Sequence, residues 1–285
     1  MHRGMTRGLR LLAVAALTLG VFAGASSAAS AKVAVYNNII SPLPGNYASI
    51  AFAATSTAEY GGEIELAGTA RKNPTVTVAM STWACQYGNW STNTCATPKP
   101  KKKFKWPLTL NVYEVGMGGT VGTKIASVTK EFGMPYRPSV SAVCTHAPYN
   151  DAGAWYDATS KECFHGMAFT ESFKVSGVTL PAKAIVSLAV NTSNYGAKPV
   201  GPSACTEEPQ GCYYDSLNFA VVEPAEAAEL GAQAAGSDPT EAQFVSSNWN
   251  EMYCGSSATL NTFTSSGVCP TWYEGDQPAI KVEAG

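Results

Sequence analysis

Aromatic side chains gather around the cysteines of this sequence. The eight cysteines fall into four close couples, and a tryptophan or tyrosine lies inside or beside each couple. Rings on short closed loops can form platforms that stack against sugar rings, while Asn, Ser and Thr supply neutral hydrogen bonds. The competing interpretation is that the same rings form small local cores. The ligand-binding residues predicted on this basis are Trp83, Tyr87, Trp90, Trp155, Tyr156 and Trp272.

The spacing of the cysteines favours four local disulfides. Partners within a couple are much closer in sequence than neighbouring couples are, and each couple sits in a turn-rich segment. Eight cysteines permit 105 pairings in principle, so this assignment rests on proximity along the chain. In the chain-entropy model each bridge would stabilise the fold by roughly 2.5–3 kcal/mol. The predicted bridges are Cys85–Cys95, Cys144–Cys163, Cys205–Cys212 and Cys254–Cys269.

Two possible metal sites overlap the second couple. His146 and His165 each follow a cysteine of that couple by two positions, which gives a Cys2His2 set. Structural zinc sites use wider spacings, and an oxidising compartment would convert the thiols to a disulfide, so we expect no metal there. Residues 150–157 concentrate oxygen ligands without the spacing of a helix-loop-helix calcium site. Calcium therefore stays open as a ligand beside a turn-forming role, and no other cofactor is expected.

No catalytic residue is predicted. The sequence has no G-x-S-x-G motif, and a Ser-His-Asp arrangement would have to use a histidine beside a disulfide. Two acids facing each other across a cleft could still hydrolyse a glycosidic bond. Strict alternation instead directs acids on strands towards solvent. The acids in or beside predicted strands are Glu63, Glu65, Glu114, Glu131 and Glu171.

The charge balance argues against nucleic acid as a partner. Charged residues make up only 14% of the chain and the net charge is −2, so no broad basic face is expected. The one basic run, residues 99–106, contains five lysines with a phenylalanine and a tryptophan. It could contact an anionic glycan, or it could be a solvated loop that enters a strand. The expected partner is a polysaccharide or cell-wall glycan.

The amino-terminal segment predicts export. Three arginines precede an apolar stretch over residues 11–25, and Ala29-Ser30-Ala31 then supplies a cleavage pattern. We expect residues 1–31 to be a secretory signal peptide and residues 32–285 to be a single secreted, extracellular domain without a membrane anchor. Cleavage would remove three arginines and no acid. The mature chain would then have 16 basic and 21 acidic residues, and its net charge would be −5.

Short runs in which polar and apolar residues alternate predict the strands that position the aromatic and acidic side chains. Runs of period two predict half-buried strands, and the Gly-rich residues 116–120 predict a hairpin between the third and fourth of them. An Ala-rich stretch, residues 224–235, predicts a short surface helix or a loop insertion. These features indicate an all-β chain, an antiparallel, jelly-roll-like β-sandwich with disulfide-tied loops. The predicted strands are 63–67, 75–80, 108–115, 124–132, 167–175, 184–190, 215–222 and 279–282.

Several blocks of the sequence carry a resemblance. They are YNNI at 36–39, PLPGN at 42–46, TSTAEYGG at 55–62, MPYRPS at 134–139, YDSLN at 214–218 and QPA at 277–279. Together they resemble an uncharacterised group of secreted actinobacterial proteins across most of the mature chain. The resemblance implies a secreted all-β domain and no particular activity. Ile40 stands where that group would have proline, and Ala53 where it would have an acid, which argues against a functional carboxylate beside Phe52.

These features favour a secreted, non-catalytic extracellular module that binds a surface or a carbohydrate. The first alternative is a secreted polysaccharide hydrolase that uses paired carboxylates, since acids on strands permit it. The second alternative is a structural matrix protein. A binding module is favoured over an enzyme because the aromatic residues near the cysteines are the most suggestive feature, whereas any secreted all-β protein with acids permits hydrolysis.

Overall fold

A computed structural model describes residues 31–52, 57–190, 217–223, 235–238, 243–247, 263–267 and 276–285. The described residues after position 30 belong to one compact unit. Their strands are β1 (Val33–Asn37), β2 (Ser49–Ala51), β3 (Thr57–Glu65), β4 (Thr75–Thr82), β5 (Lys103–Val115), β6 (Val121–Pro135), β7 (Trp155–Asp157), β8 (Glu162–Phe164), β9 (Met167–Lys174), β10 (Lys183–Val190), β11 (Leu217–Val222), β12 (Gln243–Ser247), β13 (Thr264–Gly267), β14 (Gln277–Pro278) and β15 (Ile280–Ala284).

One sheet is built around β4. This strand pairs antiparallel with β9 along its whole length, and its other edge pairs first with β15 and then with β11. Strand β1 extends the sheet beyond β15, while β2 and β14 both pair with β11. The sheet therefore has seven strands among the described residues, and every pairing in it is antiparallel.

The other large sheet has the strand order β13-β12-β3-β10-β5-β6. Its longest pairing is the β5–β6 hairpin, which runs from Lys103 opposite Pro135 to Val115 opposite Val121. Strands β7 and β8 pair with each other and form a separate two-stranded sheet. All the pairings of the six-stranded sheet are antiparallel as well.

The main core lies between the two large sheets. Side chains alternate between the two faces of a strand, so one face of each sheet supplies the apolar contacts. Strand β10 illustrates this, because Val186 and Leu188 join the main core while Ile185 belongs to a smaller cluster with Tyr113 and Phe244. Buried residues of the main core include Val76, Val78, Met80, Leu108, Leu110, Val112, Phe173 and Phe219.

The all-β antiparallel sandwich predicted from the sequence is confirmed, as is the hairpin between β5 and β6. The jelly-roll connectivity stays a prediction. The Ala-rich residues 224–234, expected to form a helix or loop, lie outside the described residues. Among the residues that are described, none forms a helix long and apolar enough to cross a membrane.

Candidate functional site

Two of the predicted disulfides close neighbouring loops. Cys85 bonds to Cys95 with a Cα–Cα distance of 5.2 Å, and Cys144 bonds to Cys163 at 5.9 Å. The second bridge consumes the thiols that a Cys2His2 zinc site would need. Cys205–Cys212 and Cys254–Cys269 lie outside the described residues. Residues 83–99 and 137–166 are called the disulfide-tied end below.

Backbone hydrogen bonds join the two closed loops into one body. The Arg137 N–H donates to the Ala84 carbonyl at 2.9 Å, and the Val140 N–H donates to the Cys95 carbonyl at 3.0 Å. The Thr97 hydroxyl donates to the Arg137 carbonyl at 2.7 Å. These bonds connect residues 84–97 with residues 137–140, about forty positions later in the sequence. The first loop therefore fixes the position of the chain that leads into the second loop.

Arg137 anchors the second loop from inside. Its side chain is fully buried, and its NH2 group donates to the Gly153 carbonyl at 2.6 Å. Its NH1 group has no hydrogen-bond partner among the described residues. Desolvation lowers the pKa of the guanidinium to about 10, and the nearby charge of Asp151 acts against that change. Arg137 therefore holds the backbone at Gly153 in place, and its guanidinium lies near the Asp151 carboxylate.

Trp155 packs the β7–β8 sheet onto the disulfide-tied end. Its side chain is only 8% exposed, and its Nε1–H donates to the Gly166 carbonyl at 2.7 Å. Its ring lies 5.6 Å from that of Phe164, which stands opposite it in the β7–β8 pairing. The expected exposed ring is not found here, because burial and the hydrogen bond give Trp155 a packing role.

Trp83 and Trp90 meet at a half-buried surface of the same end. Their ring centroids are 5.1 Å apart with nearly perpendicular planes. The His165 ring stacks on Trp83 at 5.8 Å with an interplanar angle of 16°. A hydrogen bond of 2.7 Å joins His165 Nε2 to Asp151 Oδ1. The two closed loops thus share one aromatic cluster, and a carboxylate holds the orientation of its histidine.

The other predicted binding residues lie in different settings. Tyr87 is 48% exposed, on the rim of the first loop. Tyr156 is half-buried and meets the Tyr149 ring edge-on at 5.9 Å. Trp272 lies outside the described residues. The structure therefore brings Trp83 and Trp90 together, and places Tyr156 beside a tyrosine that the sequence pattern did not single out.

An open depression of about 300 Å³ lies on the second loop. It is lined by Tyr149, Asp151, Glu162, Cys163 and Phe164. Its volume is at the lower limit of the range typical of small-molecule sites. The exposed Glu162 carboxylate has no hydrogen-bond or ion-pair partner among the described residues, while Asp151 is held by His165. The depression thus combines two rings with two carboxylates.

Sequence reasoning missed most of the lining of this depression. Tyr149, Glu162 and Phe164 follow no chemical motif, and only their position within or next to the Cys144–Cys163 couple marked them. His165 was not among the predicted ligand-binding residues, whereas it connects Asp151 to Trp83.

The acids of the possible calcium run have other partners. The Asp157 carboxylate accepts hydrogen bonds from the N–H groups of Thr159 and Ser160 and from the Ser160 hydroxyl. Hydrogen bonds, first of all the one from the Thr159 N–H, lower the pKa of Asp157. Over the described ranges, no group of three His, Cys, Asp or Glu side chains could hold a metal ion. The run is thus engaged in forming its own turn.

The strand acids considered for catalysis lie outside the depression. Glu65 pairs with Lys183 at 3.5 Å and Glu131 with Lys105 at 2.9 Å. Desolvation raises the pKa of Glu171, an effect opposed by Lys103 and Lys130. The remaining two are Glu63, which is buried, and Glu114, which is exposed. The basic run leads into β5 as a solvated strand start, with Lys105 in one of these surface pairs.

Comparison with known proteins gives no match. Neither a family model, nor a curated protein, nor a solved structure is significantly similar to this chain. The resemblance to the secreted actinobacterial group stays a prediction.

Proposed function

We propose that this protein is a secreted carbohydrate-binding module whose ligand occupies the depression on the second disulfide loop. The observation that carries this proposal is the lining of the depression by two aromatic rings and two carboxylates. A sugar ring has apolar C–H faces that pack against aromatic rings, and hydroxyl groups that donate to carboxylates. A volume of about 300 Å³ suits a short oligosaccharide rather than a long buried ligand.

The surroundings of the depression support a fixed site. The Cys144–Cys163 disulfide joins the segment that carries Tyr149 and Asp151 to the segment that carries Glu162 and Phe164. Buried Arg137 and Trp155 hold the loop and the residues that follow it, through hydrogen bonds to the Gly153 and Gly166 carbonyls. A preformed site loses less conformational entropy when a ligand binds.

Charge and compartment favour a neutral extracellular glycan. Only 14% of the residues are charged, and the depression itself carries two acids, which disfavour an anionic polymer. The two disulfides are typical of proteins in an oxidising compartment. Together with the predicted signal peptide, they support secretion.

A matched pair of variants tests this proposal. Glu162→Gln removes a charged acceptor at the depression without changing its shape, and Glu114→Gln does the same at an exposed position of β5. The purified, oxidised protein is first screened against a glycan panel, and the tightest ligand is titrated by calorimetry. We expect Glu162→Gln to weaken binding by about tenfold, the value of one hydrogen bond to a charged group. Glu114→Gln should leave the affinity unchanged within about twofold.

The hydrolase alternative is retained for one specific observation, namely that Asp151 and Glu162 line the same depression. Two carboxylates at one sugar site are what glycoside hydrolysis requires. Release of reducing sugar from a panel member, lost in Glu162→Gln, would favour the hydrolase over the binding module. Neither binding nor hydrolysis, together with self-association at high concentration, would favour the matrix protein.

A further inference from the structure

The block at residues 55–62 contains one acid whose role the fold does not explain. Tyr60 packs edge-on against Phe219 in the core at 6.1 Å. Gly61 and Gly62 lie where a Cβ atom would come within 2.5 Å of a neighbouring oxygen, so packing excludes larger residues. Glu59 precedes them and projects from the opposite face of β3 to Tyr60, towards a polar group outside the main core.

One carboxylate oxygen of Glu59 accepts three hydrogen bonds. Asn111 Nδ2 donates to Glu59 Oε1 at 2.9 Å, the Tyr113 hydroxyl donates at 2.8 Å, and the Ser187 hydroxyl donates as well. Burial, the charge of Glu59 and this hydrogen bond raise the pKa of Tyr113 far above its usual range, so the phenol keeps the proton that it donates. Glu59 Oε1 is thus fixed by donors from β5 and β10.

Two acceptors of the same group have no donor among the described residues. Glu59 Oε2 and Asn111 Oδ1 have no hydrogen-bond partner within the part of the chain that the structure describes, and Asn111 is only 3% exposed. A carboxylate only accepts, so the Asn111 amide must turn its Nδ2 towards Glu59 and its Oδ1 away. Given the 2.9 Å bond between the two groups, the free acceptors lie within about 7 Å of each other.

Within the described ranges, no cation forms an ion pair with Glu59. Lys124 lies over the Tyr113 ring, 5.1 Å from its centroid, rather than on the carboxylate. Glu59 is itself half-buried, so its free oxygen can be reached from solvent. A ligand suited to this place carries a positive charge and more than one donor.

We propose that Glu59 and Asn111 form a second ligand site, which binds an amino sugar. The ammonium group of the sugar donates to Glu59 Oε2, the acceptor that solvent can reach, and buried Asn111 holds that carboxylate in place through its Nδ2. Thr109 lies in the same row of the sheet as Glu59, and its hydroxyl is bonded to that of Thr129 at 2.8 Å, so the neighbouring surface offers further hydroxyl partners. These hydroxyls favour a sugar amine over the lysine side chain of a protein.

Calorimetry with two matched oligosaccharides tests this site. The probes are a glucosamine tetrasaccharide and its fully N-acetylated form, titrated at about pH 6, where a sugar amine carries its proton. We expect the free amine to bind at least about tenfold more tightly than the acetylated form, and Glu59→Gln to remove that preference. Glu114→Gln, at an exposed position of β5 outside both sites, should leave the preference intact. A preference that is lost in Glu162→Gln and kept in Glu59→Gln would assign it to the depression and overturn the second site.

A competition on the unaltered protein does not depend on how well Glu59→Gln folds. Ethanolamine, which carries an ammonium next to a hydroxyl, should displace the glucosamine tetrasaccharide, and ethylene glycol should not. Equal affinity for the free and acetylated sugars, or no competition by ethanolamine, would overturn the proposal. Preference for a lysine-containing peptide over the glucosamine tetrasaccharide would overturn the amino sugar as the ligand.

Discussion

Trp155 provides a quantitative test of how the disulfide-tied end is held. A buried tryptophan contributes about 150–250 Å² of contact, and Trp155 is only 8% exposed. Truncation to alanine forfeits roughly 150 Å² of apolar burial, worth about 4 kcal/mol at 25 cal/mol per Å². Loss of the bond from Nε1 to the Gly166 carbonyl adds about 1 kcal/mol. We therefore expect Trp155→Ala to lower the free energy of unfolding by about 4–5 kcal/mol.

Urea unfolding followed by circular dichroism measures this change, provided that the m-value is unaltered. Trp155→Phe keeps a ring against Phe164 and loses the hydrogen bond, so it should cost about 1–2 kcal/mol. Trp90→Ala is the control, because Trp90 is half-buried and contacts Trp83 through one edge, and it should cost about 1 kcal/mol. A Trp155→Ala variant within about 1 kcal/mol of the parent, or more stable than Trp90→Ala, would refute the packing role.

Two further predictions concern stability. Replacing Cys144 and Cys163 by alanine opens a loop of 19 positions and should cost about 3 kcal/mol in the chain-entropy model; an unchanged urea midpoint would contradict this. Alkaline pH should destabilise the fold, because the buried Tyr36 and Tyr113 hold raised pKa values and keep their protons above about pH 10, where tyrosines of the unfolded chain ionise. Arg137, with a lowered pKa of about 10, acts in the opposite direction. The net slope then grows from about half a proton at pH 10 to about one proton above pH 11, which is about 1.4 kcal/mol per pH unit, and Tyr113→Phe should remove most of it. Urea midpoints between about pH 10 and 11.5 measure this slope, and a midpoint that rises with pH would contradict it.

Local patterns were sufficient for the long strands and for two disulfides. The alternating pattern over residues 108–115 and 124–132 matches the paired strands β5 and β6, and the Gly-rich turn between them specifies the hairpin. The cysteine couples close loops whose ends are near in sequence, so their pairing needs no knowledge of the fold. Strands β7 and β8 have only three residues each, and no periodicity can be recognised over so short a length.

The functional groups depend on contacts between distant segments. Arg137 is fully buried, and its guanidinium is bonded to the Gly153 carbonyl. Because arginine is rarely buried, the residue type alone would predict an exposed position. Glu59 acquires its role from Asn111 and Ser187, which are 52 and 128 positions away. None of these contacts between distant residues can be recognised from the polar and apolar pattern of a single strand.

The two histidines show the same limit at one motif. His146 and His165 share the C-x-H pattern, yet His146 is exposed while His165 stacks on Trp83 and bonds to Asp151. The difference arises from the packing of the first closed loop against the second, which is set by Arg137 and Val140.

Mapping the binding surface by NMR would test the central claim most directly. The ¹⁵N-labelled, oxidised protein is titrated with the neutral oligosaccharide that binds most tightly in the glycan screen, and amide and indole shifts are followed. We expect the largest shifts at residues 149–151 and 162–165, with a smaller shift at the Trp83 indole through its stack on His165. Saturable shifts confined to residues outside 83–99 and 137–166, or no shift with any panel member, would contradict a carbohydrate site at the disulfide-tied end.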